Sequence, residues 1–242
     1  MISHSYRGIM HVKGVTKPEE TYVYLVTEYL GRSYLNMFDL IESSGGRGFG
    51  EHAGRLFLNQ MLDALEYLHS RAGVVHRDLK LENILIDSKL NFKLIDFGLS
   101  DSGDVHRVQG AVGSPSYVAP EVLEHSTYDG TKVDLFSMGV LLFIMVMGKF
   151  PHGTQILKDK YYSLIKSKRY DAYFQAVEGT HTSRGFRELI MGLLAYKPDE
   201  RPTIAEIRNS VFLSDPKYNP EQTHSYLLNR VKDVCAKNAD KQ

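Results

Sequence analysis

The sequence predicts an α+β protein, with a small N-terminal β part and a much larger, mainly helical part. Residues 9–16 and 22–29 are rich in β-branched and aromatic residues and are separated by a polar, proline-containing break, which predicts two antiparallel strands. Over residues 51–71, apolar residues recur mostly at three- and four-residue spacing, the pattern of a long amphipathic helix. Two short apolar runs, 84–86 and 92–95, predict a β-hairpin inside the helical part.

The composition fits a compact enzyme domain. The 242 residues are 43% hydrophobic, enough for a sizeable core in one large domain or two lobes. Lys plus Arg and Asp plus Glu number 29 each, so no overall field attracts nucleic acid or an anionic membrane, and we expect neither as a partner. The single Cys235 excludes an internal disulfide, and no signal-peptide pattern follows Met1. These features favour a cytoplasmic or nuclear location.

The remaining helices follow from apolar patterns at 34–43, 134–148, 161–165 and 184–194. The run 135–147 is shorter than the roughly 20 residues of a membrane span, so it predicts a buried helix.

Two other segments predict connections. The glycine-rich residues 45–50 follow a helical pattern instead of a strand, which favours a surface connection over a phosphate-binding loop. Residues 99–118 have little apolar periodicity and predict a long surface loop of the kind usually kept for function.

The C-terminal segment 221–235 places Tyr226, Leu227, Val231 and Val234 near one helical face. We interpret it as a helix docked on the large helical part. The alternative is a regulatory segment that binds a partner, which its mixed Asp and Lys content favours less.

Four polar side chains fall around the predicted hairpin: Asp78, Lys80, Asn83 and Asp96. Two carboxylates, an ammonium and an amide brought together by one loop and one hairpin suit magnesium, phosphate and proton acceptance. No hydrophobic core requires them.

The surrounding residues resemble a known family. His76-Arg77-Asp78-Leu79-Lys80-Leu81-Glu82-Asn83, followed by Asp96-Phe97-Gly98, resembles the H-R-D-L-K-x-E-N catalytic loop and D-F-G motif of serine/threonine protein kinases. Ala119-Pro120-Glu121 stands where a kinase activation segment ends. Residues 91–100 are similar to those of the calcium/calmodulin-dependent or AMP-activated-like branches.

The resemblance implies a protein-kinase-like fold with a mainly α-helical large lobe and a truncated small β lobe. Residues 1–30 are then the remnant of the small lobe and hinge, 31–213 the large lobe, and 214–242 a partly helical tail. The implied activity is transfer of the γ-phosphoryl group of ATP to a protein hydroxyl, with ATP and Mg²⁺ as cofactors and a protein as substrate.

The same resemblance implies four catalytic roles. Asp78 accepts the proton of the substrate hydroxyl or orients it, and Lys80 offsets charge on the transferring phosphoryl group. Asn83 and Asp96 hold magnesium.

The implied cofactor-binding residues are Thr27, Glu28, Leu30, Leu85 and Ile95. The hinge, residues 28–30, binds adenine through its backbone, Thr27 is the gatekeeper behind it, and Leu85 packs beneath adenine. The alternative for Thr27 is an ordinary strand threonine.

Substrate binding is assigned by the resemblance to Glu82, Ser114 and Pro115. Kinases that select basic substrates often carry two further acids, but Tyr34 and Ile144 roughly occupy those places. We therefore expect only a weak preference for arginine upstream of the acceptor.

Six residues have structural roles by the same resemblance: His76, Arg77, Phe97, Glu121, Asp134 and Arg201. His76 and Phe97 belong to an internal apolar stack, Asp134 caps the catalytic-loop backbone from beneath, and Arg201 pairs with Glu121.

The sequence departs from the family pattern in two places. Gly110 stands where many such kinases have a phosphorylatable residue, and the nearest upstream hydroxyls, Ser100 and Ser102, lie close to Asp96. The Gly-rich loop, phosphate-pairing lysine and helix glutamate of a complete small lobe have no counterpart before Ile9. Two alternatives therefore stay open: a non-catalytic, pseudokinase-like scaffold, or a fragment of a longer kinase. We expect the isolated chain to be weakly active or inactive.

Overall fold

The computed structural model describes residues 8–15, 25–30, 34–177, 182–215 and 219–239. The end of the first predicted strand at Thr16, the polar break after it and the start of the second strand at Tyr22 lie outside the described residues.

The elements of the described residues are named in chain order. The strands are β1 (Val12–Val15), β2 (Leu25–Thr27), β3 (Tyr34–Asn36), β4 (Val74–Val75), β5 (Ile84–Asp87), β6 (Phe92–Leu94), β7 (Asp101–Ser102), β8 (Val108–Gln109) and β9 (Thr127–Tyr128). The helices are α1 (Met37–Ser43), α2 (Gly50–Glu66), α3 (Pro120–Glu124), α4 (Gly130–Met147), α5 (Lys160–Lys166), α6 (Tyr170–Val177), α7 (Arg184–Leu193), α8 (Ile204–Arg208) and α9 (Pro220–Ala239).

The N-terminal strands form the predicted antiparallel pair over the described residues, with Val12 opposite Thr27 and Val15 opposite Leu25. Just before β1, the chain also joins the edge of β6. Met10 N donates to Leu94 O at 3.0 Å, and Leu94 N donates to Gly8 O at 2.8 Å. The small β part is therefore bonded to the hairpin of the large part.

The predicted hairpin is confirmed as β5 and β6, paired antiparallel with Ile84 opposite Leu94. Its turn is held by Asp87, whose Oδ1 accepts from the amides of Lys89 and Asn91, both at 2.8 Å. An aspartate that bonds amides two and four residues ahead stabilises a tight turn, so the hairpin is specified locally.

The prediction of a helix from Tyr34 is wrong for its first three residues, which form β3 on the other edge of β5. Asn36 is extended, and its side chain accepts from Asp39 N at 2.8 Å, so it caps α1 and the helix begins at Met37.

The core forms where α2 packs against α4. The predicted helix over 51–71 is confirmed as α2, which continues into a π-helical turn at Tyr67–Ala72. α4 begins four residues before its predicted start, capped by Asp129, and ends at Gly148 in the left-handed region with φ 74°. By length and composition α4 is also apolar enough to cross a membrane, but nearly all of it is buried inside the protein.

The glycine-rich connection lies against the end of α4. Phe49 is buried, and its amide donates to Met145 O at 2.8 Å. A Cβ atom at Gly48 would collide with the backbone of Val146 and Gly148, so this close approach requires glycine. The predicted connection is present, but part of it packs on the core instead of lying free on the surface.

The C-terminal helix α9 docks on α1 and α2, as predicted. Leu227, Val231 and Val234 are buried, and Arg230 Nη2 donates to Ser43 O, at the end of α1, at 3.1 Å. Tyr226, predicted on the same face, is 52% exposed instead.

Candidate active site

The predicted catalytic loop, residues 76–83, is anchored from beneath by Asp134 of α4. His76 N donates to Asp134 Oδ2 at 2.9 Å, and Arg77 N donates to Oδ1 at 2.8 Å. His69 Nε2 lies 2.8 Å from Oδ2. Burial alone would raise the pKa of Asp134, but the hydrogen bonds from His69 and the His76 amide outweigh it and lower the pKa. The predicted contact is present, and Asp134 is an ionised, fully buried anchor.

This anchor holds a strained backbone. Arg77 is a non-glycine residue in the left-handed region, with φ 65°. Such a conformation costs about 1–3 kcal/mol and persists only when neighbouring contacts hold it. The Arg77 amide bonded to Asp134 is one such contact. The next residue is Asp78, so Asp134 fixes the direction in which the Asp78 side chain leaves the loop.

Asp78 is the centre of a hydrogen-bonded cluster that joins three predicted site residues. Lys80 Nζ donates to Asp78 Oδ2 at 2.8 Å, and Asn83 Nδ2 donates to Asp78 O at 2.9 Å and to Oδ2 at 3.2 Å. Ser114 donates to Asp78 Oδ1 from its amide at 3.0 Å and from its hydroxyl at 2.8 Å. The loop and residues 99–118 therefore meet at one carboxylate.

The electrostatics of the cluster fix its charges. Burial alone would raise the pKa of Asp78, but the hydrogen bonds from Lys80 and Ser114 hold it below its ordinary value. The hydrogen bond to Asp78 in turn raises the pKa of Lys80. At neutral pH the pair is a carboxylate beside an ammonium. Such a carboxylate can orient a hydroxyl and accept its proton, and the Lys80 ammonium places a positive charge beside it.

Asn83 and Asp96 offer oxygen ligands suited to a hard cation. Because the Asn83 amide nitrogen donates to Asp78, the Asn83 oxygen is left as an acceptor. Asp96 is exposed and has φ 62°, and its Oδ1 accepts from Gly98 N at 3.1 Å. Mg²⁺ is usually held by one or two such groups together with waters and substrate phosphates, so this donor set fits it. Among the described residues, no group of three or more His, Cys, Asp or Glu side chains forms a metal site.

His76 is enclosed and has no access to a reacting group. Its ring packs against Phe97, with ring centroids 4.8 Å apart, and its Nε2 lies 3.1 Å from Ile95 O. Asp78 N donates to His76 Nδ1 at 3.3 Å, so we assign the proton to Nε2. Burial lowers the pKa of His76. A neutral, buried ring agrees with the structural role and not with that of a base.

The side chain of Arg77 ties down the segment 99–118. Its Nε donates to Leu99 O and its Nη1 to Gln109 O, both at 2.7 Å, and Nη1 lies 3.3 Å from Asp101 Oδ2. The predicted long surface loop is present, since most of residues 99–118 are exposed or half-buried. The segment lacks regular helix, but it is fixed to the catalytic loop by an arginine that sits among its carbonyls.

The predicted pair of Arg201 and Glu121 is present and buried. Two hydrogen bonds join them, Nη1 to Oε1 at 2.6 Å and Nη2 to Oε2 at 2.7 Å. Arg201 also donates to Ala195 O at 3.0 Å and to Lys132 O at 2.8 Å. This two-pronged pair fixes the end of the segment 99–121 to the core.

The hinge residues are held by contacts on both sides. Glu28 N donates to His11 O at 2.9 Å, and Thr27 Oγ1 donates to Glu28 O at 3.3 Å. The Glu28 carboxylate accepts from His11 N at 2.7 Å and from Lys93 Nζ at 2.6 Å. Burial alone would raise the pKa of Glu28, but these donors lower it.

The predicted adenine-contacting residues of the hairpin lie near the predicted metal ligands. Leu85 and Ile95 are both half-buried, and Ile95 N donates to Asn83 O at 3.0 Å. Leu30 of the hinge is half-buried as well. One hairpin therefore carries both the predicted base-contacting surface and the predicted metal ligands.

The predicted substrate-binding residues lie on the open side of the cluster. Glu82 and Pro115 are exposed. Pro115 also lines an apolar cavity of about 430 Å³ with Val118, Leu123 and Ile156.

Tyr34 and Ile144 are the residues predicted to replace two acids that select basic substrates. Ile144 is 2% exposed inside α4 and faces no substrate, and Tyr34 is half-buried in β3. Neither residue presents an acid to a substrate, and the expected weak preference for arginine stays a prediction.

Three polar residues that support this site were not predicted from the sequence. His69 bonds Asp134, Asp101 faces Arg77, and Lys93 bonds Glu28. A signal existed only for Lys93, a cation inside an apolar strand, where it alternates with Phe92 and Leu94.

Comparison with known proteins agrees with this geometry. The protein kinase domain family matches residues 2–213. The chain is 37% identical over 220 residues to CBL-interacting serine/threonine-protein kinase 8 of Arabidopsis thaliana, covering 89% of this chain and 46% of that protein. It is 36% identical over 206 residues to SNF1-like protein kinase ssp2 of Schizosaccharomyces pombe, covering 85% of this chain and 32% of that protein. The chain thus spans less than half the length of these relatives.

Proposed function

Since the chain belongs to the protein kinase domain family, we propose that it is the catalytic part of a serine/threonine protein kinase that transfers the γ-phosphoryl group of ATP to a protein hydroxyl. The observation that carries this proposal is the cluster at Asp78. The hydrogen bonds to Asp78 keep it ionised, so that it can orient a hydroxyl and accept its proton, and the adjacent ammonium and amide supply the positive charge and the donor that phosphoryl transfer uses at the same point.

Each residue of the cluster has a defined task. Asp78 orients the acceptor hydroxyl and takes its proton as the new oxygen–phosphorus bond forms and the bond to the ADP oxygen breaks. Lys80 lies 2.8 Å from Asp78 and places positive charge beside the phosphoryl oxygens. Asn83 and Asp96 would hold Mg²⁺, which would supply positive charge to the phosphates of ATP.

The substrate lies along Ser114 and Pro115. Ser114 joins the substrate-binding segment to the base, because its hydroxyl donates to Asp78 at 2.8 Å and lies 3.3 Å from Lys80 Nζ. The apolar cavity beside Pro115 favours an aliphatic side chain near the acceptor. A regulatory partner of the C-terminal tail would bind the outer face of α9, where Tyr226 is exposed, since the inner face is covered.

The test is a phosphoryl-transfer assay on the 242-residue chain and on an N-terminally extended version. Asp78→Asn should lower the rate by about 10²–10⁴-fold in whichever version is active, since the base is removed. The matched control is Asp171→Asn, an exposed aspartate of α6, which should leave the rate unchanged. Failure of both versions to transfer phosphate or to bind ATP with magnesium would overturn the proposal and favour the scaffold alternative.

A further inference from the structure

Lys93 is a charged residue in a place where a strand ordinarily carries an apolar or neutral side chain. Its Nζ lies 2.6 Å from Glu28 Oε1, and the two side chains are only 14% and 24% exposed. Glu28 is a hinge residue, 65 positions away in the sequence. Lys93 lies outside the catalytic-loop, D-F-G and A-P-E motifs that carry the resemblance to kinases.

The side chain of Lys93 extends from the middle of the hairpin to the hinge. Lys93 is the cross-strand partner of Leu85, and Phe92 and Leu94, its neighbours in β6, are buried on the opposite face. Partners across an antiparallel pair lie side by side on one face. The Lys93 stem therefore stands beside Leu85, the predicted floor of the adenine site, and its ammonium reaches the hinge at the edge of that site.

Two consecutive residues of β6 hold the small β part in place. Leu94 exchanges backbone hydrogen bonds with Gly8 and Met10, and Lys93 bonds Glu28. The Glu28 carboxylate also accepts from His11 N, the residue before β1, at 2.7 Å, so the same carboxylate links β6 to the start of β1. The ion pair is thus a side-chain contact that links the hinge to β6, the strand that lies beside Leu85.

We propose that Lys93 is a positioning residue for the base of the nucleotide: through Glu28 it fixes the distance between the hinge backbone and Leu85. This inference rests on the proposed function. Because the Lys93 ammonium is paired with the Glu28 carboxylate, we do not assign it a role in binding phosphate. Its effect is on the adenosine part of the ligand and not on the phosphoryl group.

The test compares two lysine variants in the same protein. Lys93→Met should weaken binding of adenosine and of MgATP by the same factor, about tenfold, because a misplaced hinge disturbs the contact with the base common to both ligands. The rate at saturating ATP should stay unchanged. Lys80→Met is the matched control with the opposite pattern: it should lower the rate and leave adenosine affinity unchanged.

A charge exchange separates positioning from general stability. Glu28→Lys combined with Lys93→Glu should recover part of the adenosine affinity that each single change loses, since the ion pair re-forms with reversed polarity but a lysine at position 28 cannot accept from His11 N. Unchanged adenosine affinity in Lys93→Met, or a loss confined to MgATP, would overturn this inference and leave the proposed function standing. If the unsubstituted protein binds no adenosine, the proposed function and this inference both fail.

Discussion

The catalytic loop and the hinge are each held by a carboxylate, but the two carboxylates have different surroundings. Asp134 is fully buried and bonds two loop amides and His69. Glu28 is 24% exposed on its side chain and depends on Lys93 and one amide. A buried charged or polar group that loses its partner cannot be solvated by water, whereas a partly exposed one can. The loop is therefore fixed strongly, and the hinge is placed by a weaker contact.

The largest effect is expected from breaking the buried anchor. Asp134→Ala leaves the amides of His76 and Arg77 without their acceptor in the interior, and relaxation of the strained Arg77 backbone offsets only part of that loss. We expect the free energy of unfolding to fall by about 3–5 kcal/mol. Urea unfolding measures it, with Asp171→Asn as an exposed control near zero. A loss below about 1 kcal/mol would mean that the anchor is no stronger than a surface contact.

The second buried pair tests whether burial alone explains that cost. Glu121→Leu and Arg201→Met each leave the other charge unpaired in the core, and the double variant leaves neither. The double variant should therefore lose less stability than the sum of the two single variants, by about 2 kcal/mol. Unfolding of all four proteins gives this coupling directly. Additive losses would show that the pair's surrounding carbonyls, not the pair itself, fix the end of the segment.

Local signals explain which parts of the fold the sequence predicted. The hairpin β5–β6 was predictable because its β-branched runs and its turn residue Asp87 act within a few positions of each other. The helix α2 was predictable from its own periodicity. β3 was not, because its partner β5 lies some fifty residues further along the chain and its three residues carry no pattern of their own. The short α6 was missed as well.

The site shows the same division. The contact of Asp134 with the loop and the pairing of Arg201 with Glu121 were expected only through the resemblance to kinases, since each charge alone looks like a surface residue. His69 contacts Asp134 from the π-helical turn that follows α2. The spacing of apolar residues along a helix does not predict such a turn. Asp101 meets Arg77 only after the chain has folded back on the loop. Contacts between distant segments depend on the tertiary fold, which one sequence does not display.

The smallest effect is expected at the hinge, and it depends on pH and salt. The folded-state pKa of Glu28 lies below its ordinary value of 4.5, so its contribution to stability is present above pH 4.5 and is lost as the pH falls through the folded-state pKa. At neutral pH, Glu28→Gln should lower the free energy of unfolding by only about 0.5 kcal/mol, since the pair is partly exposed. The difference should vanish in acid and shrink at about 1 M salt, where screening is strong. Urea unfolding of both proteins at neutral and acid pH, each at low and high salt, measures this difference.

A difference of several kcal/mol that persists in salt would show that Glu28 is held as strongly as Asp134. A small difference in stability together with the adenosine-affinity loss expected for Lys93→Met would show that this ion pair places the hinge without being needed to fold the protein.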